Sequence, residues 1–161
     1  MRNIGLLIAI LIFFIGFDQI TKEIATEHLK STETLSYFYD TFRWVYAENH
    51  GAFLGLGDNM SEDTRFWVFV IAVSVMILGM LGYVLKTPTL SKNMIIAIGL
   101  IASGGISNLI DRIVNNGAVI DFMNMGIGSI RTGIFNVADM VILLGIGIII
   151  FINKEEDKTE I

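Results

Sequence analysis

A chain of 161 residues that is 53% hydrophobic, with one proline and a mean hydropathy of +0.67, has too many long apolar runs for an ordinary soluble domain, so its organisation is counted in spans. It contains no cysteine, which excludes a disulfide framework, a thiolate nucleophile and a cysteine metal site. A formal net charge of -5 argues against a nucleic-acid partner.

The first apolar run, Ile4 to Phe17 after Arg2, could pass for a signal peptide, but no small-residue cleavage site follows it. It continues into Asp18-Gln19-Ile20-Thr21-Lys22 and is read as a retained span over about residues 4–24. Residues 25–65 are too long for a connection and too short for a domain of their own. Within them Tyr37 to Tyr46 is aromatic and partly alternating, which suggests a strand or two at the membrane surface, with Tyr and Trp as anchors at headgroup level. Glu48 to Gly55 then turns on its glycines, and its apolar tip suits a flap lying on the bilayer. An amphipathic surface loop is the plainer alternative.

Residues 66–85, 93–112 and 134–152 are also long enough to cross about 30 Å of hydrocarbon. The expected architecture is an α-helical integral membrane protein with four transmembrane helices and a small β-rich segment between the first two. An extracytoplasmic loop over 113–133 and a charged, frayed cytoplasmic tail over 153–161 complete it.

If the spans alternate in direction, their polar ends meet on one side. Span one ends in Asp18 and Lys22, span three in Asn108, Asp111 and Arg112, and span four begins with Asn136 and Asp139. Asp18, Asn108 and Asp139 each lie roughly 20 Å from the opposite face, which makes one polar layer. Asp18 with Lys22 and Asn108 with Arg112 are i,i+4, and Asn136 with Asp139 is i,i+3, so each pair shares a helix face and points into the bundle. Gly104, Gly105 and Ser107 let a neighbouring helix approach closely. Basic residues are nearly balanced between the two sides, but Lys86 and Lys92 flank a short loop and lean it, with both termini, toward the cytoplasm.

The region from Gly117 to Asp139 carries the candidate chemistry. Asp121 lies in Gly117-Ala118-Val119-Ile120-Asp121-Phe122, a glycine-led turn into an extended segment. Asp139 closes Phe135-Asn136-Val137-Ala138-Asp139, and the fourteen residues after it, Met140 to Asn153, hold no ionisable group. A carboxylate on that lip needs a polar partner. Two convergent aspartates share a proton, so one acts as general base to a water while the other donates to a carbonyl oxygen. That route needs neither metal nor cofactor. The two histidines, His28 and His50, lie outside the spans and in no His-Glu-x-x-His motif, which argues against a zinc protease or a Ser-His pair. Plainer readings stand beside this one: Asp18 or Asp111 as a cap or snorkelling anchor, Asp111-Arg112 as a local ion pair, Asn136 as a helix cap, Asn108 as an interhelical contact, and the two aspartates as a structural pair. A proton-coupled carrier is the competing class, although no internal repeat supports it. A catalytically dead scaffold is a third reading, and the intact aspartates speak against it.

Five motifs in order along nearly the whole chain resemble the bacterial lipoprotein signal peptidases, also called signal peptidase II. They are Asp18-Gln19-Ile20-Thr21-Lys22, Asn49-His50-Gly51-Ala52-Phe53, Gly104 to Arg112, Gly117 to Phe122, and Phe135 to Asp139. The resemblance implies an inner-membrane aspartyl endopeptidase with cytoplasmic termini and a site open to the outer leaflet. Such an enzyme removes the signal peptide from prolipoproteins before a diacylglyceryl-modified cysteine. By that likeness Asp121 and Asp139 are the catalytic pair. Asp18, Lys22, Asn49, Gly51, Asn108, Arg112, Asn136 and Ala138 support the site or bind substrate and the cyclic peptide inhibitor globomycin. Tyr37 to Leu56 corresponds to an extracytoplasmic cradle for the lipidated substrate, and the partners implied are diacylglyceryl prolipoproteins and membrane lipids, with the enzyme a monomer. Three departures from the family pattern stand out: Ser107 replaces a usual glycine, Glu48 replaces a basic or neutral residue, and Arg131-Thr132-Gly133-Ile134 lacks the usual Trp and Pro, which leaves that loop less rigid.

Overall fold

Among the described residues, four helices built from the long apolar runs carry a small sheet at one end. The structure, a computed structural model, describes residues 4–51, 60, 61, 64, 65 and 67–159, with side chains as far as residue 152. Helix α1 is Ile4–Leu29. A π-helical turn, Trp67–Ala72, leads into α2, Val73–Lys86. Helix α3 is Lys92–Val114 and α4 is Val137–Thr159. Ile4–Leu29, Trp67–Lys86 and Lys92–Val114 are each long and apolar enough to cross a membrane, and Val137–Ile152 is a shorter apolar stretch.

Helix α3 stands in the middle, packed by α1, α2 and α4. Its residues Ile95, Ala97, Ile98, Leu100 and Ala102 are buried on all sides, as expected of a helix apolar around its whole circumference. The outer helices turn large apolar side chains outward instead, among them Ile12, Phe13, Leu78 and Phe151. That surface suits a hydrocarbon surround and not water. Glycine sets the helix spacing. A Cβ on Gly104 would lie 2.5 Å from the Ala138 carbonyl oxygen of α4, and one on Gly105 would lie 2.8 Å from Ile77 of α2. The close approach expected at this pair therefore occurs on two sides at once.

Ser91 caps α3 by accepting from the Met94 N–H at 3.1 Å. At the other end Asn116 adopts φ 52° and the Gly117 N–H returns to the Arg112 carbonyl at 2.8 Å, a Schellman ending that reverses the chain into a strand. The strands are β1 (Leu35–Tyr37), β2 (Phe42–Asn49), β3 (Val119–Ile127) and β4 (Ile130–Arg131), antiparallel in the order β1-β2-β3-β4. Phe122 of β3 packs with Ala25 and Leu29, which seats the sheet on the last turns of α1.

The strands expected in Tyr37 to Tyr46 are present, but β3 was legible only as an extended start near Asp121. Phe135 pairs with Met123 as an isolated bridge, so the chain before Val137 is extended and α4 begins three residues later than the apolar run. The tail expected to fray continues α4 to Thr159, since neither proline nor glycine interrupts it after Gly147. The flap tip, residues 52–59, lies outside the described residues.

Candidate active site

Asp121 and Asp139 reach one place by different routes. Asp121 is carried by β3, opposite Ala47 of β2, and Asn49 of β2 donates from Nδ2 to its Oδ2 at 2.9 Å. Asp139 stands in the first turn of α4, where it forms a reciprocal cap with Asn136. The Asp139 N–H donates to Asn136 Oδ1 at 3.0 Å, and the Asn136 N–H donates to Asp139 Oδ2 at 3.2 Å. Asn136 Nδ2 also donates to Asp121 Oδ1 at 2.7 Å. One asparagine thus holds both carboxyl groups, and the cap expected of Asn136 is present. Asn108 completes the clasp, donating from Nδ2 to Asp139 Oδ1 at 3.1 Å.

Beneath this pair lies a buried ionic cluster. Lys22, 2% exposed, places Nζ 2.8 Å from Asp18 Oδ2, 2.9 Å from Asp111 Oδ2 and 2.8 Å from Asn108 Oδ1. Ser107 Oγ donates to Asp18 Oδ2 at 2.7 Å, and the Ala138 N–H donates to Asp18 Oδ1 at 2.7 Å. Gln19 Nε2 bridges Ser107 Oγ at 3.0 Å and Asp111 Oδ1 at 2.8 Å. Buried charges are tolerated when they are paired and fully hydrogen-bonded, and these are. Asp18 and Asp111 are therefore neither snorkelling anchors nor simple caps.

Arg112 does not pair with Asp111 as a local ion pair, because successive residues on a helix point apart. It donates to the Gly117 carbonyl at 2.7 Å and to the Gly51 carbonyl, and its guanidinium lies 4.9 Å from the Phe69 ring centroid. The Gly51 N–H in turn donates to Asn49 Oδ1 at 3.0 Å. Arg112 thus fastens the loop after β2 over the site.

These groups rim one end of a cavity of about 380 Å³ whose walls below are apolar, including Met76, Ile101, Ile142 and Ile146. Burial, and after it the charge of Asp139, pushes the Asp121 carboxyl up to about 7, against the donors from Asn49 and Asn136 that favour its anion. Among the described residues no group of three or more His, Cys, Asp or Glu is arranged to hold a metal ion.

All ten residues singled out in the sequence are thus drawn into one connected network. Sequence reasoning missed the parts played by Gln19 and Asp111 and saw Ser107 only as a packing residue. The four-residue spacing of Ser103, Ser107 and Asp111 on one face of α3 was the available signal. Two departures fall elsewhere. Glu48 points away from the site and accepts from Lys30 at 2.9 Å and Tyr46 at 2.8 Å. The loop after β4 is laced down by Arg131 Nε to Asn124 Oδ1 at 2.5 Å, Asn124 Nδ2 to the Thr132 carbonyl at 2.7 Å, and Arg131 Nη1 to the Asp40 carbonyl at 2.7 Å.

A family model described as signal peptidase (SPase) II matches residues 10–153. The chain is 33% identical to a lipoprotein signal peptidase of Borrelia turicatae over 92% of this chain and 87% of that protein. It is 31% identical to one of Brevibacillus brevis over 84% and 86% of the two chains. A solved bacterial membrane enzyme, determined in meso at 2.3 Å, superposes with a TM-score of 0.84 at 27% identity, covering 98% of this chain and 93% of that one.

Proposed function

This chain belongs to the signal peptidase II family, and we infer that it is an intramembrane aspartyl endopeptidase that cuts the signal peptide from diacylglyceryl-modified prolipoproteins just before the lipidated cysteine. The family acts on lipoprotein precursors in bacterial membranes; the aspartyl mechanism and the cleavage position are our reading. The observation that carries it is the clasp of Asp121 and Asp139 by Asn136 at the polar end of an apolar cavity.

In this reading the pair holds one proton, carried by Asp121, whose carboxyl is pushed up to about 7. Asp139 takes a proton from the attacking water while Asp121 donates to the scissile carbonyl oxygen. The tetrahedral intermediate collapses with proton return to the leaving amine, and no covalent enzyme adduct forms. Asn108 and Asn136 hold the carboxyl groups for this exchange. The apolar walls accept the signal helix or acyl chains, so the scissile bond meets the pair at the rim. In this reading the chain crosses the inner membrane four times with both termini in the cytoplasm, the sheet forms an extracytoplasmic cradle, and the protein acts as a monomer.

Incubating the purified protein with a diacylglyceryl prolipoprotein tests the reading. Release of the signal peptide, blocked by globomycin and absent with the unlipidated precursor, is expected. No release, or equal cutting of the unlipidated form, contradicts it.

A further inference from the structure

Lys22 does more than neutralise two buried carboxylates, for each of them grips the backbone just ahead of one member of the pair. Asp18 Oδ1 accepts the N–H of Ala138, the residue before Asp139, at 2.7 Å. Asp111 Oδ2 accepts the N–H of Ile120, the residue before Asp121, at 3.0 Å. Lys22 Nζ bridges the two carboxylates at 2.8 and 2.9 Å. The two catalytic aspartates come from elements of different kinds, a strand and a helix, and this cation is where their supports meet.

The grip on β3 fills a structural gap. One edge of β3 pairs with β2. Along the other edge, β4 reaches Gly126 and Ile127, and Phe135 reaches Met123. At Ile120 side chains replace the missing strand: Asp111 takes the N–H, and Asn136 Nδ2 donates to the carbonyl at 3.3 Å. An unpartnered N–H at this depth is costly, so the register of β3 beside Asp121 depends on Asp111.

We propose that Asp111, bridged to Asp18 through Lys22 and bonded to the Ile120 N–H, is a positioning residue that holds Asp121 at the height of Asp139. It lines no part of the cavity, so its effect falls on the chemical step and not on binding. The inference rests on the proposed peptidase reading. Displacing a reacting group by about 1 Å costs up to roughly 100-fold in rate. Asp111→Ala removes the acceptor and is expected to lower kcat about 100-fold with KM changed less than about threefold. Asp111→Asn keeps an oxygen for the Ile120 N–H and is expected to restore kcat to within about tenfold of the original protein.

Amide hydrogen exchange supplies the readout independent of activity. Exchange at Ile120 should quicken at least about tenfold in Asp111→Ala and stay close to the original rate in Asp111→Asn. Unchanged kcat in Asp111→Ala, a rise in KM that accounts for the loss, or unchanged Ile120 exchange overturns the assignment. So does failure of both variants to fold, which would make Asp111 part of the scaffold alone. If the unsubstituted protein cleaves no lipidated precursor, the peptidase reading falls instead, while exchange at Ile120 still decides whether Asp111 holds β3.

Discussion

Two lysines two helical turns apart show how differently the same charge is used at two depths. Lys22 is 2% exposed and bridges Asp18 and Asp111, whereas Lys30 is 55% exposed and meets Glu48 at 2.9 Å on the outer face of the sheet. The hydrogen bond from Lys30 holds the Glu48 carboxyl below the usual range, yet both groups remain wet and screened. Removing one partner at depth leaves a charge with nowhere to go, while removing one at the surface leaves a solvated side chain. The buried cluster therefore organises the site, and the exposed pair decorates it.

Lys22→Met breaks the contrast most severely. It leaves Asp18 and Asp111 facing each other without a cation, and a loss of about 3–5 kcal/mol in unfolding free energy is expected, measurable by thermal or denaturant unfolding in detergent. A loss below about 1 kcal/mol would mean that water reaches the cluster. Gly104→Ala probes the same region without touching a charge. Its methyl group collides with the Ala138 carbonyl, pushes α4 outward and carries Asp139 with it. A stability cost of about 1–3 kcal/mol and a fall in kcat of about tenfold or more are expected in a cleavage assay.

A pH profile sharpens the comparison further. Because Asp121 is raised from the ordinary carboxyl range to about 7, a reaction that needs its proton is lost as pH rises through about 7. The unfolded chain gives up that proton near the ordinary carboxyl value of about 4, so stability from this group falls as pH rises from about 4 to about 7 and is lost above it. Asn49→Ala removes a donor that favours the anion, so the proton is held longer and the alkaline limb moves up by about half a unit to one unit. A downward move would reverse the sign of the argument. Lys30→Gln, the smallest change, is expected to leave kcat unaltered and to move Tm by less than about 2 °C.

The sequence disclosed the apolar runs, the common height of Asp18, Asn108 and Asp139, and the glycine pair, because each depends on helical spacing within one segment. Asn136 was visible both as a cap and as a motif residue, and the cap is present in the structure. Asp111 was not, because its partner Ile120 returns to it only after the reversal at Asn116 and Gly117. Adjacent letters suggested Arg112 as its companion, while α3 geometry sends the two side chains to different neighbours. Likewise nothing local foretold that Arg131 and Asn124 would lace the loop that lacks Trp and Pro, since their bonds cross between strands.

Single substitutions of the paired aspartates are the most direct test of the account. Asp121→Asn and Asp139→Asn, each purified, folded and supplied with a diacylglyceryl prolipoprotein, are expected to release no signal peptide above background. Release by either variant at close to the rate of the unsubstituted protein would contradict the two-carboxyl mechanism.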